Sequence, residues 1–267
     1  MTAAPPHTAL APTVSVVVPT YNERTRIAEL VASVFAVFRD GAVDGELGIV
    51  DDNSPDGTGA IVDGLVSMHH GRLKVIHRAG KLGLGTAVME GFLAASAPVV
   101  GVMDADFSHP PSALPQLLDV LNRTGADAAI GSRYVPGGAV RNWPLSRQLL
   151  SRVACVLAWP LTPVRDATSG FFLVRRDSIE RVTIAAGGFK ICLELLLRGR
   201  VGSVAEVPYT FVDRTIGASK MSLREALGYL TQLRQLYAVR FLTARSARPR
   251  YFRAPPQVNV GGEGRAD

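Results

Sequence analysis

From Val14 the sequence alternates short β-branched runs with longer stretches whose apolar residues recur at helical spacing, and it keeps this up to about residue 135. Parallel neighbours in a sheet need a crossover of a dozen residues or more, normally a helix, so the alternation commits the chain to an α/β domain on a doubly wound, mostly parallel sheet. VSVVVP, ELGIVDD, RLKVIHR, VVGVMDAD and ADAAIGSRY read as strands. ERTRIAELVASVFAVF, GAIVDGLVSMHH, Gly83 to Ala95 and SALPQLLDVLN read as the helices between them. Beyond residue 135 the pattern predicts two or three helices between Pro144 and Arg200, one strand over SVAEVPYTFVDR, and a long helix from about Leu223 to Ala244.

A length of 267 residues suits one large domain, and no repeat of fixed period points to a solenoid or propeller. The segments expected are a flexible leader over 1–12, the main domain over 13–222, a basic amphipathic helix over 223–245 and a disordered tail, rich in Pro, Gly and Arg, over 246–267. The leader lacks a basic segment followed by an apolar core, so it predicts no secretion signal and a cytoplasmic body. No segment has the roughly 18 uncharged apolar residues of a spanning helix; the nearest, LLSRVACVLAWPLTPV, carries Arg152 and two prolines. The only cysteines, Cys155 and Cys192, lie in apolar helical patterns and read as small buried hydrophobes. The long helix sets Leu223, Leu227, Leu230, Leu233 and Leu236 against Arg224, Arg234 and Arg240, which suits either packing on its own domain or lying on anionic lipid.

In an open parallel sheet ligands bind beyond the carboxyl ends of the strands. The polar clusters fall at those ends: PTYNE, DDNSPDGT, HRAGKLGLGTA, DADFSHPP and GSRYVPGG. Several have a purely structural reading. Asn22 and Glu23 suit a helix start, Asp56 or Thr58 suits the next, and GLGTA lacks the full dinucleotide-binding spacing. The pair Asp104 and Asp106 is different. Two carboxylates one residue apart at the end of a buried strand repel each other and suit a hard divalent cation, which is held by one or two carboxylates together with substrate phosphate oxygens. Arg133, Arg147, Arg214 and Lys220 fall in or beside loops expected at the same edge, and with a net charge of +6 they point to a phosphate-rich ligand.

Taken in order, PTYNE, DDNSPDGT, KLGLGTA, MDADFSHPP, GSRY, TSGF and FVDRTIGASKM resemble the polyprenol or dolichol phosphate mannosyltransferases, inverting glycosyltransferases of the GT-A fold in family 2. The resemblance runs from about Val14 to Tyr237. It implies that Pro19, Tyr21 and Glu23 line a nucleotide pocket, that Val50 and Asp52 contact the guanosine, and that Asp104, Ala105 and Asp106 meet metal and diphosphate, with the two aspartates as ligands of Mg²⁺ or Mn²⁺. Arg133, Arg214 and Lys220 match the anion binders, Arg147 an arginine at the lipid phosphate, and Arg214 to Lys220 a lid. Ser108 stands where some members carry a glutamine, and GGFKICLELL replaces the FQ-containing helix of the eukaryotic members.

The resemblance implies GDP-mannose and a polyprenyl phosphate as substrates, no nucleic acid, and a peripheral position on the inner face of the cell membrane. It leaves room for a membrane-anchored partner subunit. Asp104, Asp106, Arg133 and Arg214 would carry catalysis. A donor such as UDP-glucose, or a noncatalytic subunit binding nucleotide or lipid phosphate, are the competing readings. A nucleotidyltransferase would need a glycine-rich basic loop where PTYNERTR stands, and DADFS has neither the position nor the threonine of an HAD-type phosphatase.

Overall fold

β1 (Val14–Thr20) shows how the sheet is built: Val14, Val16 and Val18 enter one buried cluster and Val17 enters another, the period-two division expected of a strand covered on both faces. A computed structural model of the chain describes residues 11–182, 184, 190–213, 223–242 and 249–253. After β1 come α1 (Ile27–Asp40), β2 (Gly45–Asp51), α2 (Thr58–Val66), β3 (Leu73–His77), α3 (Leu84–Ala94), β4 (Val99–Val102), α4 (Leu114–Thr124) and β5 (Ala128–Ser132). The strand–helix alternation expected from the sequence is thus present through β5. β6 (Ala139–Arg141), α5 (Leu145–Ala158), β7 (Phe172–Arg175), α6 (Ile191–Arg198), β8 (Ser203–Pro208), β9 (Thr210–Val212), α7 (Leu223–Leu242) and β10 (Arg250–Arg253) complete it.

Eight strands form one sheet in the order β10-β8-β5-β7-β4-β1-β2-β3, with β6 and β9 paired separately. All its pairings are parallel except those of β7, which runs antiparallel between β4 and β5. One face carries α1 and α4 through Leu30, Val34, Leu117 and Leu121. The other carries α3 and α6 through Val88, Phe92, Ile191 and Leu195. At Gly91 of α3 an added Cβ would come within 2.4 Å of Val17, so glycine is what lets this helix lie against β1. Because β1 sits between β2 and β4, the direction of winding reverses there, and the crevice that results opens at the carboxyl ends of β1 and β4. PTYNE and DADFSHPP follow those two ends.

Three local expectations need correction. Between Pro144 and Arg200 only helices were expected, yet Phe172–Arg175 is the strand β7; a four-residue apolar run has no period that separates a buried strand from a buried helix. SVAEVPYTFVDR is two strands, not one: Pro208 ends β8, and after Tyr209 the chain departs to pair with β6. Part of the expected disordered tail is ordered. Arg250–Arg253 extends the sheet beside β8, and the Tyr251 hydroxyl donates to Glu206 at 2.7 Å.

The long helix does not present its leucines as a single stripe. Leu233 and Leu236 of α7 are buried with Tyr229 against Ala158, Leu161 and Leu193, and the Tyr229 hydroxyl donates to the Ala154 carbonyl at 2.7 Å. Leu227 and Leu230 stay exposed. The side chains of Leu223 and Arg224 lie outside the described residues. Among the described residues no helix is long and apolar enough to cross a membrane.

Candidate functional site

The first two strand-end loops are stitched to each other. Asp51 at the end of β2 accepts from Thr20 Oγ1 at 3.1 Å, from Ser54 Oγ at 2.5 Å and from the Ser54 N–H at 3.0 Å, and the Ser54 hydroxyl in turn accepts the Asn22 N–H at 3.0 Å. Asp56 accepts the N–H groups of Arg24 and Thr58 and the Thr58 hydroxyl, and these bonds hold its carboxyl below the usual range against the opposing effect of burial. Asn22 and Asn53 take left-handed φ values of 61° and 56°, which asparagine tolerates better than most residues. Asp51, Ser54, Asp56 and Thr58 therefore act as scaffold for the two loops.

Pro19, Tyr21 and Glu23 lie at or just beyond the end of β1, and Val50 and Asp52 at that of β2. Tyr21 is exposed, with the Lys81 ammonium 4.4 Å from its ring centroid. The Val50 side chain is buried in the core. Asp52 Oδ1 takes an ion pair from Arg78 Nη1 at 2.5 Å, and Arg78 itself is buried and also binds Glu90 and Thr86. The Asp52 carboxylate is thus held by a cation that the sequence reading did not single out.

At the end of β4 the chain turns sharply. Phe107 adopts φ 61°, an unfavourable conformation for a bulky residue, and its side chain packs against the buried core cluster. The turn is fixed from within: Asp106 Oδ1 accepts the Ser108 N–H at 3.0 Å, and the Asp104 N–H donates to His109 Nδ1 at 3.0 Å. Because Nδ1 accepts, the ring proton belongs on Nε2. Burial pushes the His109 pKa down, against the pull of Asp104 and Asp106. The 3.6 Å separation of Nδ1 from Asp104 Oδ2 is therefore a contact between two acceptors and not an ion pair. His109 stacks on Phe171 with ring centroids 5.1 Å apart, so the aromatic core sets the height of the turn.

Asp104 and Asp106 line a cavity of about 570 Å³. Ala105 between them is buried in the core. Ser108 also lines the cavity, and its Oγ is buried with no hydrogen-bond partner among the described residues. Two carboxylates and an unsatisfied hydroxyl on one turn are hard oxygen donors, a set that fits a divalent cation completed by substrate oxygens. Among the described residues no cluster of three or more His, Cys, Asp and Glu forms a closed cage.

Arg133 and Arg147 lie on the same cavity, but in ways the sequence did not reveal. Arg133 is clamped by Asp166: Nε donates to Oδ2 at 2.7 Å, Nη2 to Oδ1 at 2.6 Å, and the Arg133 N–H to Oδ2 at 2.9 Å. Thr168 accepts a further bond from Nη2 at 2.9 Å. Burial alone would depress the guanidinium pKa, yet its partner Asp166 drives it upward, so the pair is an ion pair inside the protein. Arg147, at the start of α5, donates to Asp213 at 2.5 Å and lies over the Trp143 ring, 4.2 Å from its centroid. Arg214 and Lys220, and the whole expected lid, lie outside the described residues.

Several residues of this site were missed. Thr168 lines the cavity and Asp166 holds Arg133 from behind it; both belong to DATSGF, whose TSGF was recognised only as a motif, and Lys190, which also lines the cavity, belongs to GGFKICLELL, to which no role was assigned. Much of the remaining wall is apolar: Leu150, Val153 and Leu157 of α5 and Tyr229 and Leu230 of α7 supply one part of it, and Val102, Trp143, Phe172 and Phe211 supply another. Beyond the cavity α5 continues as an outward apolar face, with Leu145, Leu149, Val156 and the following Trp159 exposed. The cavity therefore passes from a charged end at β4 and β5 to an apolar end at α5 and α7, and from there to an apolar surface.

Residues 15–183 match the sequence profile of Glycosyl transferase family 2. A dolichol-phosphate mannosyltransferase of Pyrococcus furiosus is 41% identical over 230 residues, 84% of this chain and 63% of that protein, so the chain spans less than two thirds of this relative's length. A polyprenol monophosphomannose synthase of Mycolicibacterium smegmatis is 43% identical over 225 residues, 79% of this chain and 83% of its own. Among solved structures, glucosyl-3-phosphoglycerate synthase from Mycobacterium tuberculosis, in complex with Mn²⁺, UDP and glucosyl-3-phosphoglycerate, superposes with a TM-score of 0.62 at 24% identity, over 88% of this chain and 82% of that one. A mannosyltransferase from Pyrobaculum calidifontis in complex with GDP-Man and Mn²⁺ gives 0.61 at 19% identity, over 89% and 66%. Likeness at this level of identity concerns the fold, which is the GT-A architecture expected from the motifs. The chain belongs to glycosyl transferase family 2, within the group of dolichol-phosphate and polyprenol phosphate mannosyltransferases.

Proposed function

We propose that this family 2 member transfers mannose from GDP-mannose to a polyprenyl phosphate with inversion at the anomeric carbon. The observation that carries the proposal is the polarity of the cavity: a carboxylate pair and cations at one end suit a sugar nucleotide, and the apolar wall of α5 and α7 suits a lipid tail. The names of the relatives, at about 40% identity, support the same substrates.

In this scheme a phosphate oxygen of the acceptor forms a bond to mannose C1 as the bond from C1 to the β-phosphate oxygen of GDP breaks, and the electron pair leaves with GDP. The nucleophile is already anionic near neutral pH, so no side chain has to take a proton from it, unlike transfer to a hydroxyl. The work left to the protein is to hold two phosphate groups in line and to offset the charge that develops on the leaving group. Asp104 and Asp106 would hold Mg²⁺ or Mn²⁺, which when bound supplies positive charge at the diphosphate. Pro19, Tyr21 and Glu23 flank the nucleotide, and Asp52, fixed by Arg78, faces the guanosine with Val50 behind it as core. Ala105 allows the two aspartates to follow one another without a side chain between them in the cavity. Arg133, Arg147, Arg214 and Lys220 serve the phosphates.

Purified protein with a short polyprenyl phosphate and Mg²⁺ or Mn²⁺ should yield polyprenyl phosphomannose from GDP-mannose and no lipid-linked sugar from UDP-glucose. Product from UDP-glucose alone would hand the site to the other donor, and no product from either would favour a binding subunit.

The acceptor's tail also makes the exposed face of α5 the natural membrane contact, with Leu227 and Leu230 of α7 beside it. Burying apolar surface of this kind at an interface stabilises binding by roughly 25 cal/mol per Å². Replacing Leu149, Val153 and Val156 together by serine should abolish flotation with anionic liposomes and leave GDP-mannose affinity unchanged. Undiminished flotation would exclude this face.

A further inference from the structure

Of the three cavity cations within the described residues, two are already committed. Arg133 is clamped by Asp166 and Arg147 by Asp213. Lys190 lines the same cavity, near enough to Asp104 and Asp166 to feel their charge, yet it makes no ion pair with any described residue. Burial pushes its ammonium pKa down and the neighbouring Arg133 adds to this, the cost of placing a second cation in a confined space. A lysine kept in such a place without a carboxylate of its own is unfavourable unless an anion completes it.

Its backbone is held with unusual care. Gln232 of α7 accepts the Lys190 N–H at 3.2 Å and donates through Nε2 to the Lys190 carbonyl at 3.4 Å and to buried Glu194 at 3.0 Å. Lys190 thus precedes α6 at a fixed point, gripped by the helix that supplies Tyr229 and Leu230 to the apolar wall. It stands where the charged and apolar parts of the cavity meet.

We propose that Lys190 binds the phosphate group of the lipid acceptor, seating it at the junction between the β4 carboxylates and the apolar wall of α5 and α7. A lipid phosphate whose tail runs along α5 and α7 must place its headgroup at that junction, whereas the donor's diphosphate is drawn to the Asp104–Asp106 turn. Gln232 is the positioning residue, and α7 thereby ties the lipid wall to the headgroup site. The assignment rests on polyprenyl phosphate being the acceptor, so the test measures binding apart from turnover.

Calorimetric titration of the full chain with farnesyl phosphate, with farnesol, and with GDP plus Mn²⁺ separates the cases. Lys190→Met should weaken farnesyl phosphate on the order of 30-fold, the loss expected for one charge-assisted hydrogen bond. GDP binding should stay within about twofold and the thermal midpoint should not fall, because a desolvated charge has been removed. Lys190→Arg should recover most of the affinity, and Lys190→Gln gives a second, polar replacement if the methionine variant does not fold. Unchanged farnesyl phosphate affinity in the variants, a loss confined to GDP, or a wild type that binds farnesol as tightly as farnesyl phosphate would each overturn the assignment. If farnesyl phosphate binds through Lys190 but no mannose is transferred, the lysine's role stands and the transferase reading falls; if transfer proceeds and Lys190→Met behaves as wild type, the reverse holds.

Discussion

Asp104→Ala should lower mannosyl transfer by about a hundred- to a thousandfold, the range seen when a group that offsets transition-state charge is removed, while the thermal midpoint stays near that of the wild type. The asymmetry follows from how the turn is held. The Asp104 side chain is 43% exposed, and the bond that fixes this residue in place runs from its backbone N–H to His109 Nδ1, which alanine keeps. Asp106 differs, since its carboxylate also accepts the Ser108 N–H, so its removal would loosen the turn together with the site. Asp104 is therefore the cleaner probe of chemistry. The reading to take is GDP binding with and without Mn²⁺ beside the turnover rate: the variant should lose the part of donor affinity that depends on Mn²⁺ and keep the rest. Wild-type turnover in Asp104→Ala would remove the carboxylate pair from the mechanism.

How far the sequence foretold this arrangement depended on whether the signal was local. Strand ends are local. Period-two valines gave β1, and the motifs after β1, β2 and β4 fall at the crevice that the strand order creates. What could not be read was which charges pair. Asp166 lies 33 residues from Arg133, and nothing in DATSGF marks its aspartate as the arginine's partner. Arg133 and Arg147 read as anion binders in the sequence, and each also holds an aspartate; the cavity cation without an ion pair among the described residues is Lys190, in the GGFKICLELL segment that stands where the eukaryotic members carry an FQ-containing helix. The same limit explains β7. Its antiparallel insertion between β4 and β5 is decided by tertiary pairing, and four apolar residues hold no period to announce it. Arg250–Arg253 likewise becomes a strand because the edge of β8 was open to it, a reason external to its own composition.

The Arg133–Asp166 pair carries the second large effect, and here it is on stability. Asp166 is fully buried, and its carboxylate receives three bonds from Arg133, one of them from the backbone where β5 ends. Its own N–H is in turn held by Glu206, which also binds the Arg165 N–H and the Tyr251 hydroxyl, so the pair belongs to a network reaching from the cavity to the edge strand β10. Removing one partner of a buried pair leaves a desolvated charge without compensation, which costs about 3–5 kcal/mol. For a domain of this size that corresponds to a fall in Tm on the order of 10 °C. Asp166→Ala should show this loss in calorimetric or denaturant unfolding. Joint replacement, Arg133→Met with Asp166→Leu, should regain most of the lost stability, because an apolar pair of similar volume avoids the desolvation that the ions incur. It should not regain activity, since the cavity would then lack the Arg133 guanidinium. An Asp166→Ala protein as stable as the wild type would mean that the pair does not hold the end of β5. A double variant that transfers mannose normally would mean that Arg133 serves the fold alone, leaving the phosphates to the other cations.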